Sequence, residues 1–187
     1  MLKPKNFDSV AASLVFEPLT LGGHVCVIKG VEETKSKNTN KDMLKIALDI
    51  AEGDPQAGYY ADKFAADDRP NKKWPCVSYV VLEEKDGNAS RQLAGFVTSI
   101  EESNPGFMFP WDNPQFLKGK RIGGVFGQEE YMNDKGEKKK ATKLFWFCGA
   151  DRANDAKVPK LKELKAATTS PSTMGKWQNI DNDDIPF

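Results

Sequence analysis

Histidine is almost missing from this chain, with His24 its one example in 187 residues. It sits among apolar residues of a β-prone stretch and reads as a structural histidine rather than a general base or ligand. Three cysteines (Cys26, Cys76 and Cys148) are too few and too widely spaced for a zinc site or a disulfide framework, and no Cys-x-x-Cys occurs. Reduced thiols are the plain reading. No Gly-x-Ser-x-Gly, no Gly-x-x-x-x-Gly-Lys and no His-Glu-x-x-His appears, so the common hydrolase, nucleotide and metalloprotease signatures are missing. The start, Met1-Leu2-Lys3-Pro4-Lys5-Asn6, has no apolar core of a leader, and no apolar run approaches membrane-spanning length. The expectation is a soluble, cytoplasmic protein without metal or cofactor.

Net charge is missing too: 27 basic residues meet 27 acidic ones. A uniformly basic binder of polyanions is thereby excluded, and any such site must come from local clusters. The charge is uneven along the chain. Residues 172–187 hold Lys176 against Asp181, Asp183 and Asp184, which leaves the rest of the chain two charges positive.

What is there is enough for one modest core, 39% hydrophobic residues, and a pattern of short strands. Residues 24–33 are rich in Val and Ile and predict a strand. Residues 34–40 suit an exposed hairpin loop carrying Lys35 and Lys37. Residues 43–51 alternate, with Leu44, Ile46, Leu48 and Ile50 on one face and Lys45 and Asp49 on the other, a half-buried strand. The connection 53–71 carries Tyr59, Tyr60, Lys63, Phe64 and Arg69 and leads to Lys72-Lys73-Trp74; its aromatics fit a folded-back lid or a ligand surface equally. Residues 76–84 read as a third strand.

The period then changes. Leu93, Phe96, Val97 and Ile100 mark one face of a helix over 90–103, capped by Asn88 or Ser90 and stopped by Asn104-Pro105-Gly106. Residues 119–131 predict a strand whose glycines signal bending, a bulge or close backbone approach. The turn at Asn133-Asp134-Lys135-Gly136 precedes a fifth strand over 139–148. A short helix over 8–14 is also predicted. The order β-β-β-α-β-β is that of the OB fold, a mainly β, partly open five-stranded barrel that binds oligonucleotides and oligosaccharides. The expected division is a domain over 1–165 with an N-terminal extension, then a flexible tail over 166–187 that lacks hydrophobic periodicity.

Three stretches carry a resemblance: Ser103–Phe107 (SNPGF) with Trp111, Gly124–Tyr131 (GVFGQEEY), and the terminal Asp183-Asp184-Ile185-Pro186-Phe187. Together they look like phage-encoded single-stranded DNA-binding proteins of Gram-positive hosts. The last five residues also resemble the C-terminal tip with which bacterial single-stranded DNA-binding proteins dock partners. The resemblance runs from about residue 22 to 158 and implies a protein that coats single-stranded DNA in a bacterial host during phage or prophage replication and recombination. It implies replication and recombination proteins as partners, held by Asp183, Asp184, Ile185, Pro186 and Phe187.

Coating a strand needs cations for the phosphates and aromatic faces for the bases. The candidates are Lys35, Lys37, Tyr60, Lys72, Lys73, Trp74, Arg121, Lys138, Lys139, Lys140, Phe145 and Phe147. Strand alternation assigns Leu144, Trp146 and Cys148 to the core and Phe145 and Phe147 to the groove. Trp111 reads as a loop anchor. Two other readings stand beside this one: a protein-interaction module that captures host replication proteins, and a nuclease built from Glu83, Glu84, Glu101 and Glu102. A homo-oligomer, first of all a dimer, is a further expected state.

Overall fold

The computed structural model describes residues 17–164. The predicted helix over 8–14 and the partner-docking residues Asp183, Asp184, Ile185, Pro186 and Phe187 lie outside them. The described chain is mainly β, with elements β1 (Gly22–Lys35), β2 (Asp42–Ile50), α1 (Tyr59–Ala65), β3 (Val77–Val81), α2 (Arg91–Ser103), β4 (Arg121–Met132) and β5 (Lys138–Cys148). Single 3₁₀ turns lie at Pro114–Leu117, between α2 and β4, and at Ala150–Arg152, after β5. The strands form one five-stranded antiparallel sheet in the order β3-β2-β1-β4-β5. It curls like a barrel without closing, because edge strands β3 and β5 end on opposite walls of one groove. No helix among the described residues is long and apolar enough to cross a membrane.

The curl has a local cause in β1. Its first half, Gly22–Val27, pairs with β4, and the strand from Cys26 onward pairs with β2, so the two pairings overlap only at Cys26 and Val27. Between the halves the register slips from Ile28↔Leu48 to Gly30↔Ala47, leaving Lys29 as the extra residue of a bulge. A bulge bends a strand and increases its twist, which lets one long strand serve both sides of a curled sheet. The apolar residues of β2 predicted for one face (Leu44, Ile46, Leu48 and Ile50) are all buried.

Helix α2 closes one end of the curl with Leu93, Phe96 and Ile100, the predicted face. Ser90 caps it: the hydroxyl oxygen accepts from Leu93 N–H at 2.9 Å and its O–H donates to the Val81 carbonyl. At the other end Asn104 donates to the carbonyls of Ile100 (2.7 Å) and Arg121 (2.8 Å), so the SNPGF stretch fastens the helix to β4. Gln92 lies along the outer edge of β3, accepting from Val81 N–H (2.9 Å) and donating to Tyr79 C=O (2.8 Å). An amide side chain thus occupies part of an edge that would otherwise invite another strand.

One glycine is required by close approach to backbone, and a second makes room for a side chain. A Cβ at Gly23 would stand 1.7 Å from the Ala153 carbonyl oxygen, and one at Gly124 would meet Leu144 at 2.7 Å. The first lets the segment after β5 cross β1; the second lets β5 side chains enter the core beside Phe126. That segment, residues 153–164, then runs along β4 as a strap, held by Lys162 N–H to Gln128 C=O (3.0 Å) and Glu130 N–H to Lys162 C=O (2.9 Å).

Three expectations are corrected. The third strand is shorter than predicted, because Glu83 already bridges to Ala89 across a turn. Helix α1 lies inside the predicted connection; with seven residues and a glycine at its N-cap it has no local signature. Its cap comes from β2 instead. Asp49, expected on the outer face, is 3% exposed, and Oδ1 accepts from the backbone N–H of Tyr60 at 2.9 Å and Ala61 at 3.4 Å.

Candidate functional site

The curl leaves a groove of about 1080 Å³ between the β2–β3 wall and the β4–β5 wall. Lys45, Trp74 and Tyr79 line the first; Lys143, Phe145 and Trp146 line the second; Lys37, Lys73 and Lys162 stand at its margins. Five lysines thus face two glutamates, Glu32 and Glu129, while the described residues as a whole carry as many acids as bases. Cations are gathered here by folding, and aromatic rings lie among them.

The sequence candidates divide. Lys37, Lys73, Trp74, Tyr60 and Phe145 come together in the groove. Tyr60, at 6% exposure, is its floor rather than a free face, and burial pushes its phenol well above the usual range. Lys35 is paired with Asp42 at 2.7 Å on the exposed β1–β2 hairpin. Lys72 folds back over the Phe64 ring, 4.5 Å from its centroid, and donates to the Phe64 carbonyl at 3.1 Å. Arg121 is exposed at the start of β4 and does not line the groove. Lys138 and Lys139 pair with Glu130 (2.7 Å) and Glu137 (3.2 Å) on the β4–β5 hairpin, with Lys140 exposed beside them.

The predicted faces of β5 are altered by a second bulge. The register passes from Val125↔Trp146 to Phe126↔Leu144, so Phe145 is the extra residue. Leu144 and Phe147 now both pack on the core, with the Phe147 ring 5.0 Å from that of Phe96. Trp146, assigned to the core by simple alternation, is 47% exposed. Sequence reasoning also missed Lys45, Tyr79, Lys143 and Lys162. Lys45 and Lys143 stood in recognised strands, and the outer face of β2 was a usable signal. Nothing marked Lys162, which reaches the groove only because the strap lies on β4.

Trp74 has a second attachment. Its indole Nε1–H donates to the Leu48 carbonyl at 2.6 Å, and its ring lies 5.3 Å from Phe64. Trp74→Phe keeps a ring in the groove and removes that donor, so it is expected to cost about 1–2 kcal/mol of stability. An unchanged urea midpoint would reduce the indole to a groove-lining role.

The remaining candidates for chemistry are engaged elsewhere. His24 Nδ1 faces Asp54 at 3.0 Å and Nε2 faces Thr20 Oγ1 at 3.0 Å, an acid–imidazole–hydroxyl alignment. The Thr20 hydroxyl instead donates to Gln56 Oε1 at 3.0 Å, so its proton is directed away from the imidazole. The cluster staples the chain before β1 to the turn after β2. Glu101 accepts from Phe109 N–H and Glu102 pairs with Arg152, whereas Glu83 and Glu84 are exposed beyond β3. Among the described residues no three His, Cys, Asp or Glu side chains are placed to hold a metal. Burial raises all three thiols, Cys76 to about 12, so none is a thiolate at neutral pH.

A second, smaller pocket of about 310 Å³ lies by Leu44, Leu82, Leu93, Phe109 and Trp111. Glu33 and Glu83 rim it, so its sign is opposite to that of the groove. Trp111 touches Phe109 (4.6 Å between ring centroids) yet is 67% exposed, more open than the anchor expected. No protein-family model matches this chain, and no curated protein matches its sequence.

Proposed function

We propose that this protein is an OB-fold protein that binds single-stranded DNA along the groove between β3 and β5, without sequence preference. The observation that carries the reading is the convergence of Lys37, Lys45, Lys73, Lys143 and Lys162 with Trp74, Phe145 and Trp146 in one groove of a chain with no net charge. The connectivity supports the fold assignment: β1 pairs with both β2 and β4, the helix α2 lies between β3 and β4, and β3 faces β5. Lysines neutralise phosphates and release their counterions, and the groove aromatics, exposed Trp146 and half-buried Trp74 and Phe145, stack bases. Coating of this kind keeps a strand unpaired without covalent chemistry. The resemblance of the SNPGF, GVFGQEEY and terminal Asp-Asp-Ile-Pro-Phe stretches supports a setting in phage or prophage replication and recombination, with partner proteins docked by the terminal residues.

Titration of a fluorescent oligo(dT) at two salt concentrations tests the reading. Affinity is expected to fall with salt at a logarithmic slope of about −2 to −3.5, the range for roughly three to five phosphates neutralised on a single strand. Tryptophan fluorescence should quench as bases stack. No binding at low salt, or binding indifferent to salt, would overturn the proposal.

A further inference from the structure

Glu129 is a strange residue to find inside a polyanion groove. Its side chain is only 18% exposed, and each carboxylate oxygen meets a different ammonium: Oε2 lies 3.1 Å from Lys143 Nζ and Oε1 lies 2.8 Å from Lys162 Nζ. The two lysines come from separate elements. Lys143 belongs to β5, two residues before the bulged Phe145, and Lys162 belongs to the strap, whose backbone is hydrogen-bonded to β4 on both sides of Glu129. Burial pushes the Glu129 carboxyl up, but Lys162 and Lys143 together outweigh this and hold it below the usual carboxylate range. It is therefore ionised at neutral pH.

We infer that Glu129 is an internal stand-in for a backbone phosphate and limits the affinity of the groove. A phosphodiester, like a carboxylate, offers two anionic oxygens. The Glu129 pair already holds Lys143 and Lys162 around such a group, beside the aromatic faces of Phe145 and Trp146. An incoming strand must share or take these lysines from Glu129 while the carboxylate's own charge repels it. The residue thus keeps two cations ordered in the free protein and weakens the complex, which favours turnover of a coating over permanent attachment. This inference rests on the single-strand reading of the groove.

The test compares wild type, Glu129→Gln, Lys162→Gln and the double variant, using the same labelled oligo(dT) across a salt series. Glu129→Gln should bind about fivefold more tightly at low salt, the size expected for removing one unit charge about 4 Å from a phosphate in water. Its salt slope should steepen by about 0.7, one further counterion released. Lys162→Gln should weaken binding and flatten the slope by a similar amount, and the double variant should return close to wild type. If Glu129 only fastened the strap, Glu129→Gln would melt earlier and bind no more tightly, and that result overturns the inference. Should Glu129→Gln not fold, Lys162→Gln decides, because its side chain is half exposed; a wild-type slope in that variant is equally fatal. Absence of any binding by the wild type would instead overturn the parent reading of the groove.

Discussion

Phe126→Ala is expected to lower stability by about 3–5 kcal/mol, the range for deleting a fully buried phenylalanine. Phe126 has no exposed surface and sits where several elements meet. Its ring lies 5.7 Å from that of His24 on β1 and 6.2 Å from that of Tyr60 on α1, and Leu144 opposes it on β5. Neighbours that are themselves fixed cannot collapse into the space: His24 is tied to Asp54 and Thr20, and the start of α1 to Asp49. At about 2–4 °C per kcal/mol for a chain of this length, the melting temperature should fall by roughly 6–20 °C. Met132→Ala, at a half-exposed site on the hairpin, is the control and should shift stability by no more than about 0.5 kcal/mol. A loss below about 1.5 kcal/mol for Phe126→Ala, under the range for a cavity left open, would mean that the core relaxes around the gap.

The second large effect separates two neighbouring aromatics. Trp146→Ala should weaken oligo(dT) binding by about 1–3 kcal/mol, the worth of one stacked base, with little change in the urea midpoint. Phe147→Ala should do the reverse: a loss of about 2 kcal/mol in stability, less than for a fully buried ring, and an intrinsic affinity close to wild type. The contrast follows from the bulge at Phe145, which turns Trp146 out to solvent and Phe147 onto Phe96. Strict alternation would give the opposite pair of results. Binding and unfolding measured on both variants therefore test the register of β5 and the groove assignment together.

How far the groove could be read in advance depended on how local each cause was. Lys73 and Trp74 announced themselves as a base–aromatic cluster and do lie in the groove. Lys72, in the same cluster, does not join them, because Phe64 on α1 offers its ring and its carbonyl to that ammonium. The lysine run at Lys138–Lys140 was equally visible, but it lies on the β4–β5 hairpin away from the groove lining, where Glu130 and Glu137 hold two of the three. Charge runs and aromatic clusters are local facts; which of them fold toward one groove is not.

The sequence by itself determined the strands, the helix α2 and its buried face. Alternation in β2 and the spacing of Leu93, Phe96 and Ile100 are periodic signals that need no tertiary context. The glycines of β4 signalled bending, a bulge or close approach, without deciding among them or naming what approaches. Only the tertiary structure decided that α1 exists, since its cap is a buried aspartate of β2 rather than a residue beside the helix start. It alone decided which aromatics of β5 face outward, because one inserted residue reverses every side chain beyond it. And it alone brought Lys162 to Glu129 and Lys143, by laying a segment past the last strand along an edge of β4 that β1 leaves unpaired.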